Sequence, residues 1–180
     1  MKIPEPIFVG FFPKARPARP DAFKPAHVVE ICSVSNCINA APEGWVDLWR
    51  HNELGFYDTE DLTLEVACSS PGDFEVFAYR LFPLVFDNGR QLAFKVPVSP
   101  LQPEAGFKLI GHDVVSRSSS PFFECSPLSC NYAAEEFAVN SWCLIENIED
   151  AEGACRKISA GNYEPGLYYL FEVLRNERDA

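Results

Sequence analysis

With 15 basic residues against 26 acidic ones and a net charge of −11, this chain of 180 residues repels nucleic acid phosphate, and no apolar run approaches the length needed to cross a bilayer. Its apolar content of 47% and aromatic content of 13% exclude general disorder and predict an aromatic core. The length suits a single globular domain, 1–180, that needs no covalent staples.

Ile7 to Phe12 reads as a first apolar strand. It is too short, and too interrupted by Gly10, for a secretory signal, which with seven cysteines predicts a reducing, cytoplasmic setting. Residues 13–25 hold Pro13, Pro17, Pro20 and Pro25 among Lys14, Arg16, Arg19 and Lys24, and predict an extended basic arm. The first 26 residues carry +3, so −14 falls on the remainder. Ala26 to Cys32 reads as a short strand entering the loop Cys32-Ser33-Val34-Ser35-Asn36-Cys37.

Pro42 and Glu43 open a predicted helix whose Trp45, Leu48 and Trp49 form one apolar stripe, with Gly55 as its stop. Tryptophans at that spacing read as core, and His51 as a last-turn residue favoured by the helix dipole. Asp58 to Asp61 cap a second helix, through about Ala67. From Glu43 to Glu75 nine acids face one cation, Arg50, which predicts an acidic surface. Phe74 to Phe86 reads as a long strand with a bulge or edge at Pro83, and Asp87-Asn88-Gly89 predicts a hairpin into Gln91 to Val96.

Phe107 to Asn131 concentrates the residues with chemical potential. Gly111 breaks its opening strand, and a bulge there is expected to turn His112 and Asp113 toward one cleft. A polar Ser-rich loop, 116–121, leads to Phe122-Phe123 and then to Cys125-Ser126-Pro127-Leu128-Ser129-Cys130. This echoes the earlier loop: both read Cys-Ser-x-x-x-Cys. Cys32, Cys37, Cys125 and Cys130 could together supply four thiolates to zinc if the loops meet in space, while the plainer reading makes them buried small hydrophobes.

Tyr132 to Phe137 predicts a helical turn or two, and Asn140 to Ile145 a weak strand. Asn147 caps a helix that ends at Gly161, and Gly166 to Leu174 predicts a last strand. Six carboxylates between Glu135 and Glu152, with no Lys or Arg among them, make a second acidic patch.

The irregular order of elements predicts an α+β domain: a mixed, mainly antiparallel sheet with two to four short helices. None of the phosphate-loop, dinucleotide, zinc-protease or nucleophile-elbow signatures is present. The first functional expectation is therefore an acidic protein-binding module, such as an immunity or inhibitor protein covering a basic partner, with neither nucleic acid nor membrane as partner. Its contact residues would be Asp47, Glu53, Glu60 and Asp61 in one patch and Glu149, Asp150 and Glu152 in the other. That reading needs no cofactor. One alternative is an enzyme or ligand-binding protein using Cys125 or Cys130 with His112 and Asp113, since a nearby imidazole lowers a thiol's pKa. The other is a structural zinc domain through the two cysteine loops.

Overall fold

The long apolar segment that begins at Phe74 is the spine of the molecule. In the computed structural model, which describes residues 3–15, 23, 25–38, 40–45, 50–98, 106–119, 122–161 and 163–176, it forms strand β2, Phe74–Asp87, buried along nearly its whole length. Around it lie β1 (Ile7–Ala15), β3 (Arg90–Ala93), β4 (Phe107–Arg117) and β5 (Leu167–Asn176) in the order β1-β2-β5-β4, with β3 as a hairpin extension of β2. Among the described residues every strand pairing is antiparallel. With helices α1 (Glu60–Ser69), α2 (Pro127–Cys130) and α3 (Ile148–Ala160), this is the expected α+β architecture.

Local chemistry accounts for each boundary. Asn88 and Gly89 both take positive φ, as the tight turn between twisted strands requires, so β2 and β3 pair from Asp87↔Arg90 outward. Pro83 lies where the β2–β5 register slips between Leu81 and Val85, the bulge anticipated from the sequence. The Thr59 hydroxyl accepts from Leu62 N to cap α1, and the Asn147 side chain accepts from Asp150 N to cap α3.

Both outer strands carry a bulge at a glycine. At Gly10 in β1 an added Cβ would sit 2.5 Å from Tyr57 O, and at Gly111 in β4 it would sit 2.7 Å from Leu144 Cβ. Passing loops close against the strands at these points, covering edges that would otherwise pair with other chains. Phe11 bridges Tyr57, while His112 bridges Ile145 and Ser116 bridges Cys125.

Side-chain alternation sorts the core into two faces. Phe77, Tyr79, Val115, Tyr169, Phe171 and Val173 meet the segment around Cys32, Val34, Leu54 and Phe56. Phe82, Leu84, Phe86, Val114, Tyr168 and Leu170 meet Ala151, Ala154, Cys155 and Ile158 of α3.

Several expectations change. β1 does not stop at Phe12: it runs through Pro13 and Lys14 to Ala15, because Pro is tolerated on an edge strand and Lys14 has a buried destination. The part of the basic arm at 16–22 and 24 lies outside the described residues. Ala26 to Cys32 and Asn140 to Ile145 are not strands. They are irregular segments tied to each other, Val29 N donating to Ser141 O and Cys32 N to Trp142 O, with Asn140 Oδ1 accepting from Trp142 N and Leu144 N. Tyr132 to Phe137 contributes one 3-10 turn, Ala133–Glu135. Of the predicted Trp45 helix, 46–49 lie outside the described residues; Trp45 itself is buried against Phe12 at a ring separation of 4.8 Å, as a core residue.

Candidate thiol centre

The two Cys-Ser-x-x-x-Cys loops meet, and the meeting point is a carboxylate. Asp113 projects from β4 and is wholly buried; its Oδ2 accepts from Ser33 Oγ and Val34 N at 2.9 Å each, and its Oδ1 accepts from Ser126 Oγ at 2.5 Å. The serine that follows the first cysteine of each loop thus docks on one oxygen of the same side chain. This gives the sequence echo a physical meaning: matching dipeptides are matching ligands for Asp113.

A second buried charge fixes the first loop from the other side. Lys14, 1% exposed, donates from Nζ to Val34 O and Ser35 O at 2.8 Å each and to Asn36 Oδ1. All three ammonium protons are used. Burial lowers the Lys14 pKa to about 7, against the raising effect of Asp113, Cys37 and Cys130. The second loop is rigid for a different reason: Ser126 to Cys130 winds into α2, with Cys130 N bonded to Ser126 O, while Asn131 anchors its exit by donating to Tyr163 O and Glu164 Oε1.

What these braces hold together is a group of three thiols. The Sγ atoms of Cys37, Cys125 and Cys130 all lie within 4.8 Å of one another, with Cys125 buried, Cys130 half-buried and Cys37 exposed. Zinc bound by thiolates at about 2.3 Å in tetrahedral geometry sets its sulfurs about 3.8 Å apart, so the group needs only a small contraction to serve as three ligands. Among the described residues no His, Cys, Asp or Glu joins the three as a fourth ligand.

Ionisation is shared unequally. The thiols of Cys125 and Cys130 donate toward Cys37 and pull its pKa down, against the cost of burial. Cys125, as donor to Cys130 and Cys37 and partly desolvated, is pushed up. Cys130 is drawn down by Cys125 but raised further by Cys37 and burial together. Cys37 Sγ itself donates to Glu124 O at 3.3 Å, while the Ser129 hydroxyl lies 3.6 Å from Cys130 Sγ and the Lys14 ammonium stands in the field of the group. A dication would complete the ionisation of all three; three thiolates, one Zn²⁺, the Lys14 ammonium and the Asp113 carboxylate would then sum to −1.

Three of the four cysteines expected to bind zinc come together; Cys32 does not. Its chain position is fixed by the bond to Trp142 O, and its side chain packs in the core beside Val34 and Tyr79, where burial pushes the thiol up. His112 and Asp113 do not share a cleft. They are neighbours on a strand and face opposite sides of the sheet: Asp113 toward the thiols, His112 toward Phe82, with Nδ1 bonded to Ile145 O. That separation removes the imidazole from the Cys125 and Cys130 alternative. Lys14 and the two serines are the residues the sequence reading missed; Lys14 was counted in the basic arm, and only the unbroken strand through Pro13 redirects it inward.

Of the acids expected to face a partner, Glu53, Asp61, Glu149 and Asp150 are exposed, Glu60 and Glu152 are half-buried, and Asp47 lies outside the described residues. Part of the acidity is used internally. Glu75 and Glu30 both bind Arg175, Glu65 pairs with Arg50 and Glu152 with Arg156, while Asp150 Oδ2 accepts from Asn147 Nδ2. Among the described residues no helix is long and apolar enough to cross a membrane. Comparison of the chain with protein-family models, with curated proteins and with solved structures found no match in any of the three.

Proposed function

We propose that the chain is a zinc-binding domain whose centre consists of Cys37, Cys125 and Cys130, with a water or another small exogenous ligand in the fourth position. The observation that carries this is the convergence of three sulfurs within 4.8 Å from loops far apart in the chain, held by two fully hydrogen-bonded buried charges. Burying Lys14 and Asp113 is costly, and the cost is hard to understand if the thiols were ordinary core filler. Asp113 and Lys14 are positioning residues: they orient the loops, and the Lys14 charge offsets the surplus negative charge of three thiolates, in the way outer-shell partners commonly tune a metal site. A site with three protein ligands and one open position suits ligand exchange better than a closed structural centre. We rank this above an acidic docking module, because three carboxylates of the stretches that motivated that module, Glu65, Glu75 and Glu152, have internal cationic partners.

The test is elemental analysis of protein purified under reducing conditions without chelator. About one zinc per chain is expected, retained in Cys32→Ala and lost in Cys37→Ser and Cys130→Ser. Folded wild type that neither carries nor takes up zinc would refute the proposal, as would loss of zinc from a folded Cys32→Ala variant equal to that from Cys37→Ser.

A further inference from the structure

On the sheet face opposite the thiols, a pocket of about 380 Å³ lies where the N-terminal segment passes β4 and the start of α3. His112 lines it and is only 3% exposed. Its Nδ1 lies 3.0 Å from Ile145 O, and a carbonyl can only accept, so in the neutral ring Nδ1 carries the proton and Nε2 keeps its lone pair. Nε2 has no hydrogen-bond partner among the described residues. Tyr57 Oη is the one fully buried side-chain nitrogen or oxygen among them without a partner, so the pocket reaches His112 Nε2.

Glu172, 9% exposed, lines the same pocket; Arg80 takes its Oε2 at 3.0 Å and leaves Oε1 open. Glu5, Glu146 and Glu149 stand around it, while Ile3, Phe82 and Leu109 supply apolar wall, Leu109 being 46% exposed there. The α3 N-terminus at this rim would by itself favour an anion, but Asn147 already satisfies Asp150 N, and Glu149 and Asp150 already answer the dipole. Among the described residues lining the pocket or bonded to its lining, four carboxylates and an imidazole acceptor thus face one cation, Arg80. They do not converge: among the described residues only the three thiols form a compact group with metal-ligand spacing. Spread acceptors over an apolar wall fit separated ammonium groups joined by methylenes better than a point charge.

We propose that this pocket binds a linear aliphatic di- or polyamine, one ammonium donating to His112 Nε2 and Glu172 Oε1, a second meeting Glu149 or Glu5, and the methylenes lying on Phe82 and Leu109. This is independent of the thiol centre. The experiment is calorimetric titration of the full chain with spermidine, with magnesium chloride at matched ionic strength and inorganic phosphate as comparison probes, alongside imidazole ¹⁵N spectra. Saturable spermidine binding with a shift of the His112 Nε2 signal is expected, together with binding about tenfold weaker in the exposed-site variant Glu5→Gln/Glu149→Gln. Competition by magnesium equal to its ionic strength-matched spermidine effect, preference for phosphate, absence of saturable binding, or binding that leaves the His112 signal unmoved would each overturn the proposal.

Discussion

Asp113 shows what one buried carboxylate can be made to do. Desolvation raises its pKa from 3.8 to about 6, against the lowering effect of the Ser126, Val34 and Ser33 hydrogen bonds. Between about pH 4 and about pH 6 the folded, metal-free protein therefore holds a proton that the unfolded chain has released, and stability falls as pH rises through that window. The stability of wild type minus that of Asp113→Asn, measured by urea unfolding of the metal-free proteins, should decline by on the order of 3 kcal/mol from pH 4 to pH 6 and then level off. A difference that stays constant with pH would mean Asp113 is ionised throughout and its environment more polar than described. Lys14 has the opposite sign: with its folded pKa lowered to about 7, it adds stability as pH rises from there toward its ordinary 10.5.

At the scale of elements, the caps and turns were legible and the irregular segments were not. Asn147, Thr59 and Asn88-Gly89 act through bonds within four residues, so their signal is local and survives in the sequence. Replacing Asn147 with Ala should cost α3 about 1 kcal/mol, read as a shift in the thermal or urea midpoint; no shift would mean that packing of Ala151, Ala154 and Ile158 alone holds the first turn. The segments at 26–32 and 140–145 looked like strands because of their apolar residues, yet 26–27 and 141–142 are turns and Cys143 takes a φ of 62°. They bond to each other by isolated contacts, and the 140–145 segment is seated on β4 by Asn140 Nδ2 donating to Ile110 O and by its close approach to Gly111. The end of β1 was hidden similarly, since Pro13 reads as a stop unless one knows that the strand lies at a sheet edge.

For the molecule as a whole, the sheet separates two chemistries. One face gathers Lys14, Asp113 and the three thiols; the other gathers His112, Glu172 and the acidic rim of α3. Strand alternation alone decides this, and it is why adjacent residues of β4 that look like one site in the sequence belong to two. The repeated Cys-Ser-x-x-x-Cys pattern carried half of the thiol site; that the second cysteine of each loop would join Cys125, and the first cysteine of the first loop would turn into the core, depends on the two serines meeting at Asp113. Extended X-ray absorption at the zinc edge of the metal-loaded protein tests the account most directly. Three sulfur scatterers at about 2.3 Å and one nitrogen or oxygen scatterer at about 2.0–2.2 Å are predicted; a shell of four sulfurs, or one with fewer than three, would contradict it.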